Sequence, residues 1–396
     1  MRSILTPMIT RTLAHALQER AALYPVLTLT GPRQSGKTTL CRMLFPGKPY
    51  FSLEALDTRE FAVTDPRGFL AQVPDGAVLD EVQQAPGLLS YLQESVDQDP
   101  RPGRFILTGS ENLALNQAVA QSLAGRTAIL HLLGCAREEV AAFPEVPTEL
   151  WSAIWHGGYP RVFDRRIPPP VWYADYVATY LERDVRRLLN VGDLRTFGTF
   201  LRLAAGRTGQ ELNLSTLAAD VGAAVNTIKA WISVLEASYL ITLVPAWHVN
   251  TRKQAVKAPK LHFLDSGLAC HLLSIRDGSQ LALHPLRGAI FESWMVSEII
   301  KARLNRGLAP EAFHYREPRG PEVDLMVRTG RGWVLAEAKS AQTVDREFFR
   351  HMASLSERLG TSGVAGRALV YGGDTSQIRS TAQVIPWREI AQGPWT

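Results

Sequence analysis

Over the first third of the chain, short apolar runs alternate with stretches of helical periodicity. The runs are Val26–Thr30, Pro49–Leu53, Ala77–Asp80, Phe105–Thr108 and Thr127–Leu130. Near-continuous apolar strands separated by helices predict a parallel sheet covered on both faces. Residues from about 136 to 200 read as helical, interrupted at Gly157-Gly158-Tyr159-Pro160. Pro168-Pro169-Pro170 should be an extended connector, because proline is excluded from helix interiors. Residues from about 200 to 265 predict helices followed by strands. From about 286 onward the pattern predicts helix, hairpin, helix and strand.

Composition narrows the class without naming it. Of the 396 residues, 46% are hydrophobic and 20% charged, which fits a globular protein and excludes a largely disordered one. No apolar run approaches the roughly 18 residues of a membrane span, so no membrane partner is expected. Cys41, Cys135 and Cys270 form no CxxC pair. Neither a zinc ribbon nor a disulfide framework is suggested, and a cytoplasmic location is expected. The net charge of +5 permits nucleic-acid binding without requiring it. The N-terminal segment MRSILTPMITRTLAHALQER carries Arg11, His15, Glu19 and Arg20 at helical spacing. It lacks the uninterrupted apolar core of a signal peptide and predicts a helix.

The most specific motif is Gly31-Pro32-Arg33-Gln34-Ser35-Gly36-Lys37-Thr38. It fits G-x-x-x-x-G-K-[ST], directly after an apolar run and directly before the helical run that opens at Thr39. These nine residues, Gly31 to Thr39, are expected to cradle phosphates with backbone N–H groups at a helix N-terminus. Lys37 would reach the β- and γ-phosphates of ATP, and the Thr38 hydroxyl would ligate Mg²⁺.

Ala77-Val78-Leu79-Asp80-Glu81 has the Walker B form, an apolar strand ending in two acids. Asp80 would hold Mg²⁺ and Glu81 would orient or deprotonate the attacking water. Thr108-Gly109-Ser110-Glu111-Asn112 ends the next strand. Ser110 and Asn112 are candidates to sense the γ-phosphate; the alternative is a Gly-Ser turn with Asn112 capping a helix. Arg126 is a candidate arginine finger donated to a neighbouring subunit of a homo-oligomer, or else a surface arginine.

GPRQSGKTTL, VLDEVQQAP, ILTGSEN, SLAGR and GGYPRV follow one another in the order seen in a family of prokaryotic ATPases. The chain resembles this family, of the broad AAA+ and STAND-like group, over nearly its whole length. The resemblance implies ATP binding and hydrolysis by an N-terminal domain. It also implies a C-terminal domain of unassigned function with a restriction-endonuclease-like fold. One departure is His131-Leu132-Leu133-Gly134-Cys135, where the family usually has a proline-containing segment. It touches no candidate catalytic residue.

Leu214 to Gly222 predicts a short helix with Ser215 as N-cap and Gly222 at its left-handed end. A second helix is expected from about Val225 to Ala237. The spacing of Ala218, Gly222 and Ile228 suits a helix-turn-helix. Tyr239 to Val244 and Leu261 to Leu264 predict strands around a basic loop with Arg252, Lys253, Lys257 and Lys260, completing a winged helix. Asn226, Thr227, Lys229 and Ser233 would then face a DNA groove, with the wing lysines on phosphates. The alternative is a lid or protein-contact module.

Glu322 to Arg328 and Trp333 to Lys339 predict a hairpin around Thr329-Gly330-Arg331-Gly332. A two-residue turn with Gly330 first pairs Thr329 with Gly332 and sets Asp324 opposite Glu337. Opposed Cβ atoms lie about 4.5–5.5 Å apart, so the carboxylates need a cation between them. Lys339 shares their face. Asp followed by Glu-x-Lys is the site pattern of PD-(D/E)-x-K nucleases. Asp324 and Glu337 would bind Mg²⁺, Lys339 would position or deprotonate water, and Glu292, on an apolar helix face, would be a further ligand. The alternative is a solvated salt bridge on an inactive binding module.

The expected architecture is α/β: a P-loop ATPase domain over 1–135, a helical lid over 136–200, a winged helix over 201–275 and an endonuclease-like domain over 276–396. The function this supports is a Mg²⁺-dependent ATPase whose nucleotide state controls DNA binding or cleavage. A nucleotide-driven switch or scaffold with an inactive nuclease-like domain is the rival. A small-molecule kinase stands third, against the Asp80-Glu81 pair.

Overall fold

The computed structural model describes residues 9–110, 122–181, 194–248, 257–317, 320–360 and 363–396. Helix α1 (Leu13–Ala21) is shorter than the expected N-terminal helix: it begins at Leu13, so Arg11 precedes it. Its Leu13, Ala14, Ala16 and Leu17 bury against the first sheet.

That sheet contains β1 (Val26–Thr30), β2 (Tyr50–Ser52), β3 (Val78–Asp80), β4 (Phe105–Gly109) and β5 (Thr127–His131). The order is β2-β3-β4-β1-β5 and every pairing is parallel. Helices α2 (Lys37–Leu44), α3 (Leu56–Thr64), α4 (Pro66–Ala71) and α5 (Leu88–Gln98) connect the strands. Val78 and Ile106 bury toward α1 and α2, whereas Leu79 and Leu107 bury toward α5. Alternate residues thus feed two cores, which is why these strands are apolar throughout.

Helices α6 (Arg137–Val140), α7 (Leu150–His156), α8 (Pro160–Asp164) and α9 (Pro169–Tyr176) follow. The triple proline is not an extended connector: Pro168 caps α9, and Pro169 and Pro170 open its first turn. The first-turn N–H groups have no helical acceptor, so proline costs nothing there.

Helix α10 (Leu194–Ala205) spans residue 200, where a domain boundary was expected. Its Phe197, Phe200, Leu201 and Ala204 form an i, i+3, i+4, i+7 stripe in one core with Trp172, Trp231 and Phe263. Next come β6 (Gln210–Glu211), α11 (Leu214–Val221), α12 (Val225–Ala237), β7 (Ile241–Val244) and β8 (Lys260–Phe263). The strands form an antiparallel sheet in the order β6-β8-β7. Asn213, rather than Ser215, caps α11 by accepting from the Thr216 amide at 3.0 Å. Gly222 ends α11 at φ 76°, as its left-handed role requires.

Helices α13 (Ser266–Leu272) and α14 (Gly278–Leu283) lead into α15 (Arg287–Leu304), which is buried on nearly all sides. The last sheet has the order β13-β14-β12-β11-β10-β9, built from β9 (Ala312–Arg316), β10 (Glu322–Thr329), β11 (Gly332–Lys339), β12 (Val364–Tyr371), β13 (Gln377–Ile378) and β14 (Gln383–Pro386). Helix α15 covers one face, and α16 (Arg350–Leu359) covers the other.

The units interlock. Ala246 pairs with His314 of β9, joining the middle unit to the last sheet. The Lys301 ammonium donates to the Cys135 carbonyl at 3.1 Å. Tyr239, at φ 57° just beyond α12, hydrogen-bonds through its hydroxyl with Thr30 Oγ1 at 2.7 Å and His131 Nδ1 at 2.9 Å. Among the described residues no helix is long and apolar enough to cross a membrane.

Candidate functional site

The turn between β1 and α2 must pass close to the next strand's exit. A side chain at Gly31 would place its Cβ 2.0 Å from the Leu132 carbonyl oxygen, and Gly36 sits at φ 95°. Both positions therefore need glycine. Lys37 is buried and folds back, donating to the carbonyls of Gly31 and Pro32, each at 2.9 Å. Burial lowers its pKa, and Glu81 and Asp80 only partly oppose that.

Thr38 Oγ1 donates to both Asp80 oxygens, at 3.2 and 3.0 Å. Tyr50 donates to Asp80 at 2.5 Å and Thr108 donates to it as well. Thr38 and Asp80, one at a helix start and one at a strand end, form an oxygen donor pair that fits Mg²⁺.

Glu81 takes a left-handed backbone conformation, φ 56°, which turns it from the strand toward β4. Its Oε2 accepts from Ser110 Oγ at 2.8 Å, from the Ser110 amide at 3.3 Å, and from Gln83. Burial opposes its ionisation, but Lys37 and the hydrogen bonds from Gln83 and Ser110 outweigh this and hold the carboxyl low. It is thus an ionised acceptor. Asn112 lies outside the described residues.

These residues open on a cleft of about 360 Å³, lined also by Arg33, Gln34 and Thr39. Its far wall is α8 and the residue that ends it, which contribute Arg161 and Arg165. Arg161 lay within GGYPRV, but nothing in its spacing marked it as facing phosphates. Beside Gly36 and Thr39 lies an apolar recess formed by Ile9, Met43, Phe143 and Pro160.

Arg11 was also missed. It is 5% exposed and donates to the carbonyls of Ser35 at 2.7 Å, Leu133 at 2.9 Å and Gly134 at 3.3 Å. Its Nε lies 3.1 Å from Glu139 Oε1. Arg126 stands before β5, at the sheet end opposite the phosphate loop. It pairs with Asp97 at 2.5 and 2.8 Å.

On α12, Asn226, Lys229 and Ser233 are exposed, Thr227 is half-buried, and Glu236 shares the outer face. Arg252 and Lys253 lie outside the described residues. Lys260 is not on a wing: it is buried on β8, 3.0 Å from Glu292 Oε1 and 2.9 Å from Glu322 Oε1. Its side chain is 3% exposed, so the ammonium pairs with carboxylates instead of solvent.

The hairpin register matches the expected Thr329–Gly332 pairing and is paired as far as Leu325–Ala336. The turn differs: the positive φ falls at Gly332, 128°, and not at Gly330. Pairing of β10 with β9 is irregular between Val323 and Met326. Val323 and Leu325 consequently bury on opposite faces, with Asp324 at the kink.

Asp324 Oδ2 accepts from the Ala338 amide at 2.9 Å. Lys339 Nζ lies 2.8 Å from Glu337 Oε2 and 3.9 Å from Asp324 Oδ2. Burial, then Asp324, raises Glu337 well above the usual carboxylate range. Burial, then Asp324, likewise pushes Glu292 up to about 8. Asp324, Glu337, Glu292 and Lys339 thus form one electrostatic cluster. Among the described residues no three acids, histidines or cysteines stand in an ion-holding arrangement. The donor chemistry nevertheless fits a divalent ion, because Glu337 Oε1 is buried with no hydrogen-bond partner.

Residues 23–141 match the model of an AAA domain. Residues 147–279 and 287–390 match two domains of unknown function, DUF8612 and DUF4143. The chain is 29% identical to the uncharacterized protein Rv2008c of Mycobacterium tuberculosis over 389 residues, covering 95% of this chain and 83% of the relative. The uncharacterized protein Mb2031c of Mycobacterium bovis matches equally. Among solved structures, the Walker-type ATPase PABY2304 of Pyrococcus abyssi is 16% identical with a TM-score of 0.45, covering 66% of this chain and 94% of that one. The match to the AAA domain falls on the unit that carries the phosphate loop, within an α/β chain.

Proposed function

We propose that the chain is a Mg²⁺-dependent ATPase whose nucleotide state controls a C-terminal nuclease-like unit acting on DNA. The observation that carries the ATPase reading is the convergence of Lys37, Thr38, Asp80 and Glu81 on one cleft beneath a glycine-bounded loop. Backbone N–H groups of residues 31–39 bind the phosphates, and Lys37 exchanges its two carbonyl acceptors for phosphate oxygens. Thr38 and Asp80 hold the Mg²⁺, which supplies charge neutralisation at the phosphates. Glu81, kept ionised, accepts a proton from the attacking water, and Ser110 holds its orientation. Arg161 on α8 and Arg165 at its end meet the phosphates. The recess of Ile9, Met43, Phe143 and Pro160 suits a planar apolar base. Arg126, paired with Asp97 at the sheet end away from its own cleft, would act as a finger only in the cleft of a neighbouring subunit.

In the C-terminal unit, Asp324, Glu337 and Glu292 supply metal ligands, and Lys339 positions the water. The unpartnered Glu337 oxygen supports this. The arrangement of α11, α12 and the β6-β8-β7 sheet supports a winged helix, with Asn226, Thr227, Lys229 and Ser233 toward DNA. A second reading, a nucleotide-driven switch with an inactive C-terminal unit that binds a protein, is favoured by the single basic residue, Lys229, on the outer face of α12.

The deciding test is cleavage of plasmid and single-stranded DNA with Mg²⁺ or Mn²⁺, with and without ATP, for wild type and Lys339→Ala. Cleavage lost in the variant supports the nuclease reading and shows whether ATP gates it. No cleavage under any condition selects the switch.

A further inference from the structure

Lys260 reaches the carboxylate cluster from outside the C-terminal unit. It belongs to β8, a middle-unit strand paired to β6 and β7. Its side chain is 3% exposed and its ammonium is shared between Glu292 on α15 and Glu322 on β10. Leu261 and Phe263 beside it are locked in the middle-unit core. The ammonium is therefore delivered by a whole module and not by a loose surface chain.

An ammonium and a divalent ion compete for the same carboxylate oxygens. Both need close oxygen contact, and both relieve the same mutual repulsion. The two close contacts, at 3.0 and 2.9 Å, place the ammonium where it competes for Glu292.

We propose that Lys260 is an intramolecular cation that engages Glu292 in place of a divalent metal, keeping that ligand from the site, while the middle unit is docked as seen here. This rests on the metal-site reading of Glu292, Asp324 and Glu337. Withdrawing β8 would free Glu292 to join Asp324 and the unpartnered Glu337 oxygen. A chain of contacts joins the phosphate loop to β8. Tyr239, which contacts Thr30 before the phosphate loop, lies two residues before β7, and the Leu264 amide donates to the Leu240 carbonyl at 2.9 Å. Nucleotide-driven motion at the loop would thereby reach the strand that carries Lys260.

The test is Mn²⁺ binding by electron paramagnetic resonance on the full chain without nucleotide. Three proteins are compared: wild type, Lys260→Met, and Lys260→Met combined with Asp324→Asn. The expected result is a Mn²⁺ site in Lys260→Met at least about tenfold tighter than in wild type, lost again in the double variant. Binding at the phosphate loop is common to all three and cancels. Wild type binding as tightly as Lys260→Met, with loss on Asp324→Asn, would overturn the competing-ammonium proposal and leave the metal site standing. No Asp324-dependent binding in any of them would overturn both. If Lys260→Met does not fold by circular dichroism, Lys260→Gln replaces it, keeping a donor for Glu292 without the charge.

Discussion

Arg11 ties the N-terminal segment, the phosphate loop and the β5 exit into one knot, and its removal has a calculable cost. Arg11→Met keeps most of the buried stem but deletes the charge. Glu139 would keep its donors from the Thr12 amide at 2.7 Å and the Ala136 amide at 2.8 Å, without a cation. An uncompensated buried charge and an abandoned Ser35 carbonyl together cost about 4 kcal/mol. Glu139→Gln leaves the Arg11 bonds to Ser35 and Leu133 in place and should cost about 3 kcal/mol. Removing both charges together should cost roughly 2 kcal/mol less than the sum of the single variants, since neither then lacks a partner. Urea unfolding of the four proteins at pH 7 measures this coupling. Fluorescent-nucleotide titration supplies a second reading: Arg11→Met loosens the loop at Ser35 and should weaken ATP binding roughly tenfold, whereas Glu139→Gln should barely alter it. Additivity within about 0.5 kcal/mol, together with unchanged nucleotide affinity in Arg11→Met, would refute the reasoning.

Glu81→Gln should retain ATP binding and lower turnover by roughly 10²- to 10⁴-fold, the usual worth of a general base, as read by phosphate release; normal turnover would sink its assignment. Arg161→Ala should weaken ATP binding with little effect on ADP binding if it meets the terminal phosphate, which calorimetry with both nucleotides resolves. Burial lowers the pKa of His262 to about 3, and burial also brings His314 down to about 4. Below the ordinary histidine value of 6.5 the unfolded chain takes up protons that the folded one refuses, so stability falls as pH drops from about 6.5 toward 3. For His262 alone the loss by pH 4 is roughly 3 kcal/mol. Thermal melts across that range should show it, with a flatter pH dependence for His262→Gln.

The phosphate loop and its acids were legible because each is local: a strand, a turn and a helix lie within a dozen residues of one another. The hairpin register was legible for the same reason, since Thr329 and Gly332 fix every pair behind them. What crosses between units was not. Arg11 reads as one more residue at helical spacing until its carbonyl partners, more than 120 positions away for Leu133, come alongside. Lys260 sits in a stretch rich in basic residues and so looks like a wing contact, yet the burial of β8 decides its partner. The proline run misled for another reason. The rule against proline in helices applies to interiors, and Pro169 and Pro170 occupy the first turn, where it lapses. Strand β9 went unrecognised because Ala312–Arg316 carries His314 and Arg316 among its apolar residues, and its pairing is set by β10 and Ala246.

The Tyr239 contact bears on how such a chain could be taken apart. Its phenol is held at the root of the phosphate loop by Thr30 and His131, far from its own place in sequence. An isolated N-terminal fragment ending near residue 135 would expose that root to water and leave Thr30 and His131 to bond with solvent. A shortened chain is therefore an imperfect surrogate for the intact one. Nucleotide affinities measured on such a fragment would describe a loop released from its anchor, and the difference from the intact chain would itself gauge how firmly the middle unit grips it.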